Sequence, residues 1–140
     1  VNAPLDIAVR GNYNFGRDRN MLDAIAQIAH TFKALSDESR LKIIRALSHR
    51  SLCVCELAEF LGLAMSTVSE HLKVLHDAEL VTSRKEGTWI IYSLPTLPSD
   101  DVRSLLFNLV KIKAREDPNW PEELATLHNL DRRKILCSAH

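Results

Sequence analysis

Hydrophobic residues recur along this chain with the spacing of amphipathic α-helices. The stripes are formed by Leu22, Ile25, Ala29 and Phe32; by Leu41, Ile44 and Leu47; by Leu57, Ala58 and Leu61; by Val68, Leu72 and Leu75; by Val102, Leu105, Leu106, Leu109 and Ile112; and by Leu124, Leu127 and Leu130. Ser36 is the predicted N-cap of the second helix, because acidic residues follow it directly. Between residues 81 and 92 the pattern changes to the two-residue alternation of β-strands. The sequence therefore predicts a mainly α-helical fold with one β-hairpin.

Residues 51–94 place two short helices before the hairpin, in the order that is typical of a winged helix-turn-helix. Gly62 permits the tight turn between the two helices. Glu86 and Gly87 are the predicted two-residue loop of the hairpin, because glycine tolerates positive φ. We therefore predict a winged helix-turn-helix with a two-stranded wing.

The second helix of that unit is predicted to expose a small, polar face. Such a helix fits the major groove of DNA and brings hydrogen-bonding side chains to base edges. Two basic residues near the tip of the wing are placed to meet phosphate groups, although a charged hairpin tip is often only solvated. The predicted DNA-binding residues are Ser66, Thr67, Ser69, His71, Lys73, Arg84 and Lys85.

The chain divides into three predicted segments. Residues 1–20 form an N-terminal arm without sustained periodicity, whose arginines either contact a partner or DNA or are solvated. Residues 21–116 form the winged helix-turn-helix DNA-binding and dimerisation domain. Its apolar stripe at residues 102–112 has few partners left in the chain, which indicates a homodimer interface. Residues 117–140 form a C-terminal helix and tail.

The charge balance is neutral, with 18 Lys and Arg residues against 18 Asp and Glu residues. Nucleic-acid-binding domains are often clearly basic. We therefore expect dimerisation, helix N-termini and cations outside the wing, such as Arg40, Arg45 and Arg50, to contribute to DNA affinity. No apolar run approaches the ~20 residues of a membrane span, and no signal peptide is recognisable. We expect a cytoplasmic protein with no membrane partner.

Two of the three cysteines, Cys53 and Cys55, stand at the start of the first helix of the helix-turn-helix. Residues two apart point to nearly opposite sides of a regular helix. A shared ligand therefore requires Cys53 to adopt extended or capping geometry ahead of the helix. A helix N-terminus lowers the pKa of a thiol, and thiolates select soft ions. The alternative is that both cysteines are small buried apolar residues.

The third cysteine, Cys137, lies in the C-terminal tail. As(III) is satisfied by three sulfurs, whereas zinc sites usually take four ligands. Cys137 is the natural third donor, from the same or the other protomer. A two-sulfur site completed by a small thiol or water is the fallback. The candidate metal ligands are therefore Cys53, Cys55 and Cys137.

Four motifs occur in order along the chain: ALSDESRL at residues 34–41, LCVCEL at 52–57, STVSEHLKVL at 66–75, and RKEG at 84–87 leading to YSL at 92–94. In this combination the chain resembles the ArsR/SmtB family of bacterial metal-sensing repressors. The resemblance implies a homodimer that occupies double-stranded operator DNA and leaves it when a metal or metalloid binds. The cysteine pair is similar to that of the arsenic- and cadmium-responsive branches. The arsenic branch often carries a third cysteine where this chain has Ala58.

The leading hypothesis is a transcriptional repressor with As(III) or Sb(III) as inducer and no permanent cofactor. The alternatives keep the DNA-binding module but sense Cd(II) or Pb(II), or thiol oxidation or persulfide, through the same cysteines. An enzyme, such as a metalloid reductase, is not expected. The chain contains neither a phosphate-binding glycine loop nor a Cys-X-X-Cys motif.

Overall fold

The computed structural model describes residues 19–135, with side chains from residue 24 onward. The helices are α1 (Arg19–Leu35), α2 (Glu38–Leu47), α3 (Val54–Leu61), α4 (Met65–Asp77), α5 (Val102–Glu116) and α6 (Trp120–Asn129), and the strands are β1 (Leu52–Cys53), β2 (Thr82–Glu86) and β3 (Trp89–Ser93). Most of the predicted N-terminal arm and the predicted ligand Cys137 lie outside the described residues. Within residues 19–135, no helix combines the length and apolar character that crossing a bilayer requires.

The core lies where α2, α3 and α4 pack together. Ile44, Leu57 and Leu72 are fully buried in it, as the helical spacing of the apolar residues predicts. Gly62 ends α3 with φ +65°, and this left-handed conformation turns the chain into α4. The winged helix-turn-helix fold is therefore confirmed.

The N-cap of α2 is Asp37, so the prediction of Ser36 is wrong by one residue. The Asp37 carboxylate accepts a hydrogen bond from the backbone N–H of Arg40 at 3.0 Å. This hydrogen bond is the largest cause of the lowered pKa of Asp37. An aspartate cap combines the hydrogen bond with a charge that suits the helix N-terminus.

The wing differs from the predicted hairpin in two details. Its sheet has three strands in the order β1–β3–β2, because the short strand β1 pairs antiparallel with β3. Glu86 pairs with Trp89, so the loop consists of Gly87 and Thr88, one residue later than predicted. Gly87 has φ +61°, which explains why glycine suits the first loop position.

The helices α1 and α5 leave large apolar side chains exposed. Ile25 is 75% exposed and Leu105 is 56% exposed. The other large exposed side chains on these two helices are Ile28, Phe32, Val102, Leu109 and Ile112. Contiguous apolar surface of this kind marks an interaction site, which agrees with the predicted dimerisation stripe.

Arg45 is not available for DNA, contrary to expectation, whereas Arg50 is partly exposed and pairs with Glu56. Arg45 is buried in α2, where its guanidinium donates to Asp117 at 3.1 Å and to Glu123. Its Cζ atom also lies 4.8 Å from the ring centroid of Trp120. Arg45 therefore attaches α6 and the end of α5 to the core.

We expect Arg45→Ala to lower the free energy of unfolding by about 2 kcal/mol, because two half-buried carboxylates and the face of Trp120 lose their partner. Urea titration followed by circular dichroism measures the change. Lys113→Ala is the matched control, since the pair of Lys113 with Glu116 is exposed, and its effect should stay within ~0.5 kcal/mol. Equal stability of the two variants would show that the Arg45 ion pairs do not hold the C-terminal helix.

Candidate functional site

Cys53 and Cys55 converge at the junction of β1 and α3. Cys53 is the last residue of β1 and the N-cap of α3, with φ −86° and ψ 170°. This extended geometry is the one that a shared ligand requires, and it turns the Cys53 side chain toward that of Cys55. The two Sγ atoms are 2.8 Å apart, and each residue is only 1% exposed. Cys53 is a free thiol in the structure, whereas Cys55 is disulfide-bonded. Once Cys55 is reduced, the pair offers two adjacent sulfurs to one ligand.

The prediction of a lowered thiol pKa is wrong for Cys53. Burial raises the pKa of this thiol, because a thiolate loses hydration in the interior. The neighbouring Glu56 carboxylate contributes to the increase through charge repulsion, although the helix amide of Glu56 acts in the opposite direction. Desolvation outweighs the effect of the helix N-terminus here.

Glu56 is fully buried beside the cysteines and was not predicted as a site residue. Its Oε1 atom accepts the backbone N–H of Cys53 at 3.1 Å. Arg50 pairs with Oε2 at 2.8 Å, and Arg132 pairs with Oε1 at 3.1 Å. The sequence signal was available, since a glutamate three residues after an N-cap is the second half of a capping box. Glu56 therefore fixes the backbone of the first cysteine.

The thiol pair lies between the two elements that are predicted to contact DNA. Cys53, Cys55 and Ile91 form one buried cluster, against which Met65 and Trp89 pack. Met65 is the first residue of α4, and Trp89 is the first residue of β3. The cysteine pair therefore packs against both the helix and the wing.

A row of three residues crosses the wing sheet from the thiols to a basic side chain. Cys53 pairs with Ile91, and Ile91 also pairs with Arg84 on the far strand. Directly paired residues of an antiparallel sheet point to the same face. Arg84 is therefore two strands away from a cysteine on the same face of the sheet.

The described residues provide two sulfur donors but no larger donor set. Across residues 19–135, no group of three or more His, Cys, Asp and Glu side chains is placed to hold a metal ion. The donor chemistry of Cys53 and Cys55 fits a soft ion. A three-sulfur site requires a cysteine beyond residue 135.

The predicted face of α4 is exposed at four of its five residues. Ser66, Thr67, Ser69 and Lys73 are exposed. His71 is half-buried instead, with its Nδ1 atom 3.4 Å from an Arg40 terminal nitrogen and 4.0 Å from Asp37. The expectation that His71 faces outward is therefore wrong, because the N-terminus of α2 packs over this part of α4. Its contact with DNA stays a prediction.

The two predicted basic residues of the wing, Arg84 and Lys85, are exposed on β2. Arg84 donates to Glu86 at 3.2 Å and to the Ser93 hydroxyl at 3.3 Å. These contacts lie within the wing and leave the guanidinium in solvent, where it can reach a phosphate group.

Comparison with known proteins identifies the family. A family model described as bacterial regulatory protein, arsR family, matches residues 37–83. The chain is 40% identical over 78 residues to the arsenical resistance operon repressor of Bacillus subtilis, which covers 55% of this chain and 74% of that protein. It is 42% identical over 67 residues to the cadmium resistance transcriptional regulatory protein CadC of Listeria innocua, which covers 47% of this chain and 56% of that protein.

The fold has a close structural relative in the homodimeric winged helix-turn-helix DNA-binding domain of a Mycobacterium bovis protein, solved by NMR. The TM-score is 0.56 at 30% identity, and the match covers 76% of this chain and 92% of that one. The fold and these relatives are those of DNA-binding transcriptional regulators and not of enzymes. On its sequence matches and its fold, this chain belongs to the ArsR family of bacterial transcriptional regulators.

Proposed function

We propose that this protein is a metalloid-responsive transcriptional repressor, which binds operator DNA as a homodimer and leaves it when As(III) or Sb(III) binds Cys53 and Cys55. The observation that carries the proposal is the position of the thiol pair, whose Sγ atoms converge to 2.8 Å beside the recognition helix and the wing. Two sulfurs in contact favour a soft ion. We place the protein in the cytoplasm, where reducing conditions keep thiols available.

The release of DNA on inducer binding follows from the position of Cys53, which is both the N-cap of α3 and a residue of the wing sheet. The backbone of Cys53 is held by Glu56 on one side and by its pairing with Ile91 on the other. An ion bound by both sulfurs rearranges the cap of α3, and therefore the way in which α4 and the wing are presented. Ligand and DNA then favour different arrangements of the same element, so that binding of one weakens binding of the other.

The third sulfur is proposed to come from Cys137 of the same protomer. Ile135 packs against the cluster that contains Cys53 and Cys55. Cys137 follows Ile135 by two residues, and such a step spans at most about 7 Å between Cα atoms. The tail is therefore long enough to supply a sulfur in cis.

DNA binding is proposed to require a homodimer formed by the exposed apolar faces of α1 and α5. A dimer presents two copies of α4 to successive major grooves, which doubles the contacts of a neutral protein. We propose that Ser66, Thr67, Ser69 and Lys73 contact bases or backbone, and that the wing cations contact phosphate. His71, held between α2 and α4, contacts DNA from the margin of this surface.

A second candidate inducer is Cd(II) or Pb(II), because the matched relatives include one that is named for cadmium resistance. Oxidation or persulfide formation at the same cysteines is a further candidate, although a disulfide between residues two apart is strained. The two metal ions differ from the metalloid in the number and type of ligand atoms that they need, whereas oxidation changes the sulfur atoms covalently.

X-ray absorption at the arsenic edge of the arsenite complex tests the proposed site, because it counts the bound sulfur atoms directly. We expect three sulfurs in the native protein and two in Cys137→Ser.

A second experiment tests which inducer releases DNA. The complex with DNA selected from a random pool is titrated with arsenite, Cd(II) or peroxide. We expect arsenite to release the DNA. Release by peroxide alone would exclude the metalloid function, and release by Cd(II) alone would establish the second candidate.

A further inference from the structure

Arg103, in the first turn of α5, has a guanidinium that is held in one orientation. Asp101, the N-cap of α5, accepts hydrogen bonds from its Nε atom at 3.0 Å and from a terminal nitrogen at 2.8 Å. Two parallel hydrogen bonds of this kind fix the plane of a guanidinium. The hydrogen bond from Arg103 is the largest cause of the lowered pKa of Asp101, and the same pair raises the pKa of Arg103. The orientation of Arg103 is therefore set by its own helix.

The other terminal nitrogen of Arg103 leads away from α5. It donates to the backbone carbonyl of Glu79 at 2.9 Å. Glu79 lies in the turn between α4, which ends at Asp77, and β2, which begins at Thr82. The remainder of α5 packs mainly on α2 and α6. Arg103 therefore connects the helix of the proposed dimer interface directly to the junction of the recognition helix and the wing.

The turn that receives this hydrogen bond has a defined conformation. Glu79 has φ +57°, in the left-handed region that residues with a side chain rarely adopt. The Glu79 N–H donates to the His76 carbonyl and the Leu80 N–H donates to the Leu75 carbonyl, each at 2.9 Å, and these hydrogen bonds end α4. Leu80 and Val81 are buried directly afterwards. A contact that holds the Glu79 carbonyl therefore holds the end of α4 and the start of the wing together.

We propose that Arg103 is a positioning residue, which fixes α4 and the wing against α5 and thereby sets the distance between the two recognition helices of the homodimer. The recognition helices of a dimer enter successive major grooves ~34 Å apart, so this distance selects the spacing of the half-sites. A change in the angle between α4 and α5 alters that match. The role rests on the dimeric DNA binding of the proposed function and not on induction by a metalloid.

The test compares DNA affinity at two half-site spacings, with the full-length protein and DNA that the native protein has selected from a random pool. Fluorescence anisotropy measures binding to the selected duplex and to the same duplex with one base pair inserted between the half-sites. We expect Arg103→Gln to bind the selected DNA ~10-fold more weakly, because a hydrogen bond from a charged donor is lost. We expect its preference for the selected spacing to fall at least ~5-fold, while sedimentation velocity still shows a dimer.

Arg115→Gln is the matched control, with the same charge change at an exposed position of the same helix. It should keep the affinity and the spacing preference of the native protein. Asp101→Asn is the second variant, which preserves a favoured N-cap but weakens the hold on the guanidinium. It decides the matter if Arg103→Gln loses its cooperative unfolding transition, and we expect its spacing preference to fall at least ~2-fold.

A native spacing preference in folded Arg103→Gln would overturn the proposal, as would a native preference in Asp101→Asn. A salt dependence that is lower by about one phosphate contact in Arg103→Gln would also overturn it, because Arg103 would then bind DNA directly. A native protein that selects only a single half-site would reject the dimeric binding mode and the role of Arg103 together. If the native protein prefers one spacing but does not respond to arsenite, only the proposed induction fails, and a lost preference in Arg103→Gln still supports the positioning role.

Discussion

Serine in place of Cys53 or Cys55 is expected to leave DNA affinity within about twofold and to abolish its response to arsenite. In the native protein, we expect arsenite to weaken DNA binding about 150-fold, which corresponds to a coupling of ~3 kcal/mol. Serine is a favoured N-cap, so Cys53→Ser preserves the start of α3. Its hydroxyl does not replace a thiolate for a soft ion. Fluorescence anisotropy of labelled DNA, with and without saturating arsenite, measures both quantities.

Val54→Ser is the matched control for this experiment, because it introduces the same side chain between the two cysteines and keeps both sulfurs. It should respond to arsenite like the native protein. A full response in Cys53→Ser or Cys55→Ser would show that the inducer binds elsewhere. Loss of DNA binding without arsenite would instead assign the cysteines a structural role.

Leu109→Lys is expected to produce a monomer and to weaken DNA binding more than ~100-fold. Leu109 is half-exposed on α5, near Leu105 and Ile112 on the same helix face. A lysine there places an unpaired charge in an apolar interface, which is strongly unfavourable. A monomer then contacts one half-site and loses the contribution of the second. Sedimentation velocity gives the oligomeric state, and anisotropy gives the affinity.

Ala125→Lys provides the control for added charge, since Ala125 is exposed on α6, outside the face formed by α1 and α5. This variant should remain dimeric and bind DNA normally. Circular dichroism verifies that both variants are folded. A dimeric Leu109→Lys protein with native DNA affinity would rule out this face as the interface.

The helices were predictable because the spacing of the apolar residues along each helix indicates which face is buried. Val68, Leu72 and Leu75 recur at helical spacing, and all three are buried in the structure. The extended conformation of Cys53 is the one that a shared ligand would require, since two residues on a helix cannot share a ligand at this spacing. The short strand β1 was missed, because two residues show no periodicity.

The chemistry of the site depended on contacts that the sequence pattern does not show. The spacing of Glu56 from Cys53 indicates a capping box, but its burial and its ion pair with Arg132, 76 positions later, appear only in the structure. Arg45 resembled a DNA-binding cation until its pairing with Asp117, 72 positions away, became apparent. The pKa of Cys53 rises because the tertiary structure buries the thiol, which a helix-terminus argument leaves out.

The sequence by itself determined the order of the helices and of the two main wing strands, and with it the winged helix-turn-helix, because these depend on residue type and on short-range spacing. Only the tertiary structure decided which charges are neutralised and how deeply the two cysteines are buried. Desolvation and ion pairing depend on neighbours in space, and here those neighbours come from distant parts of the chain.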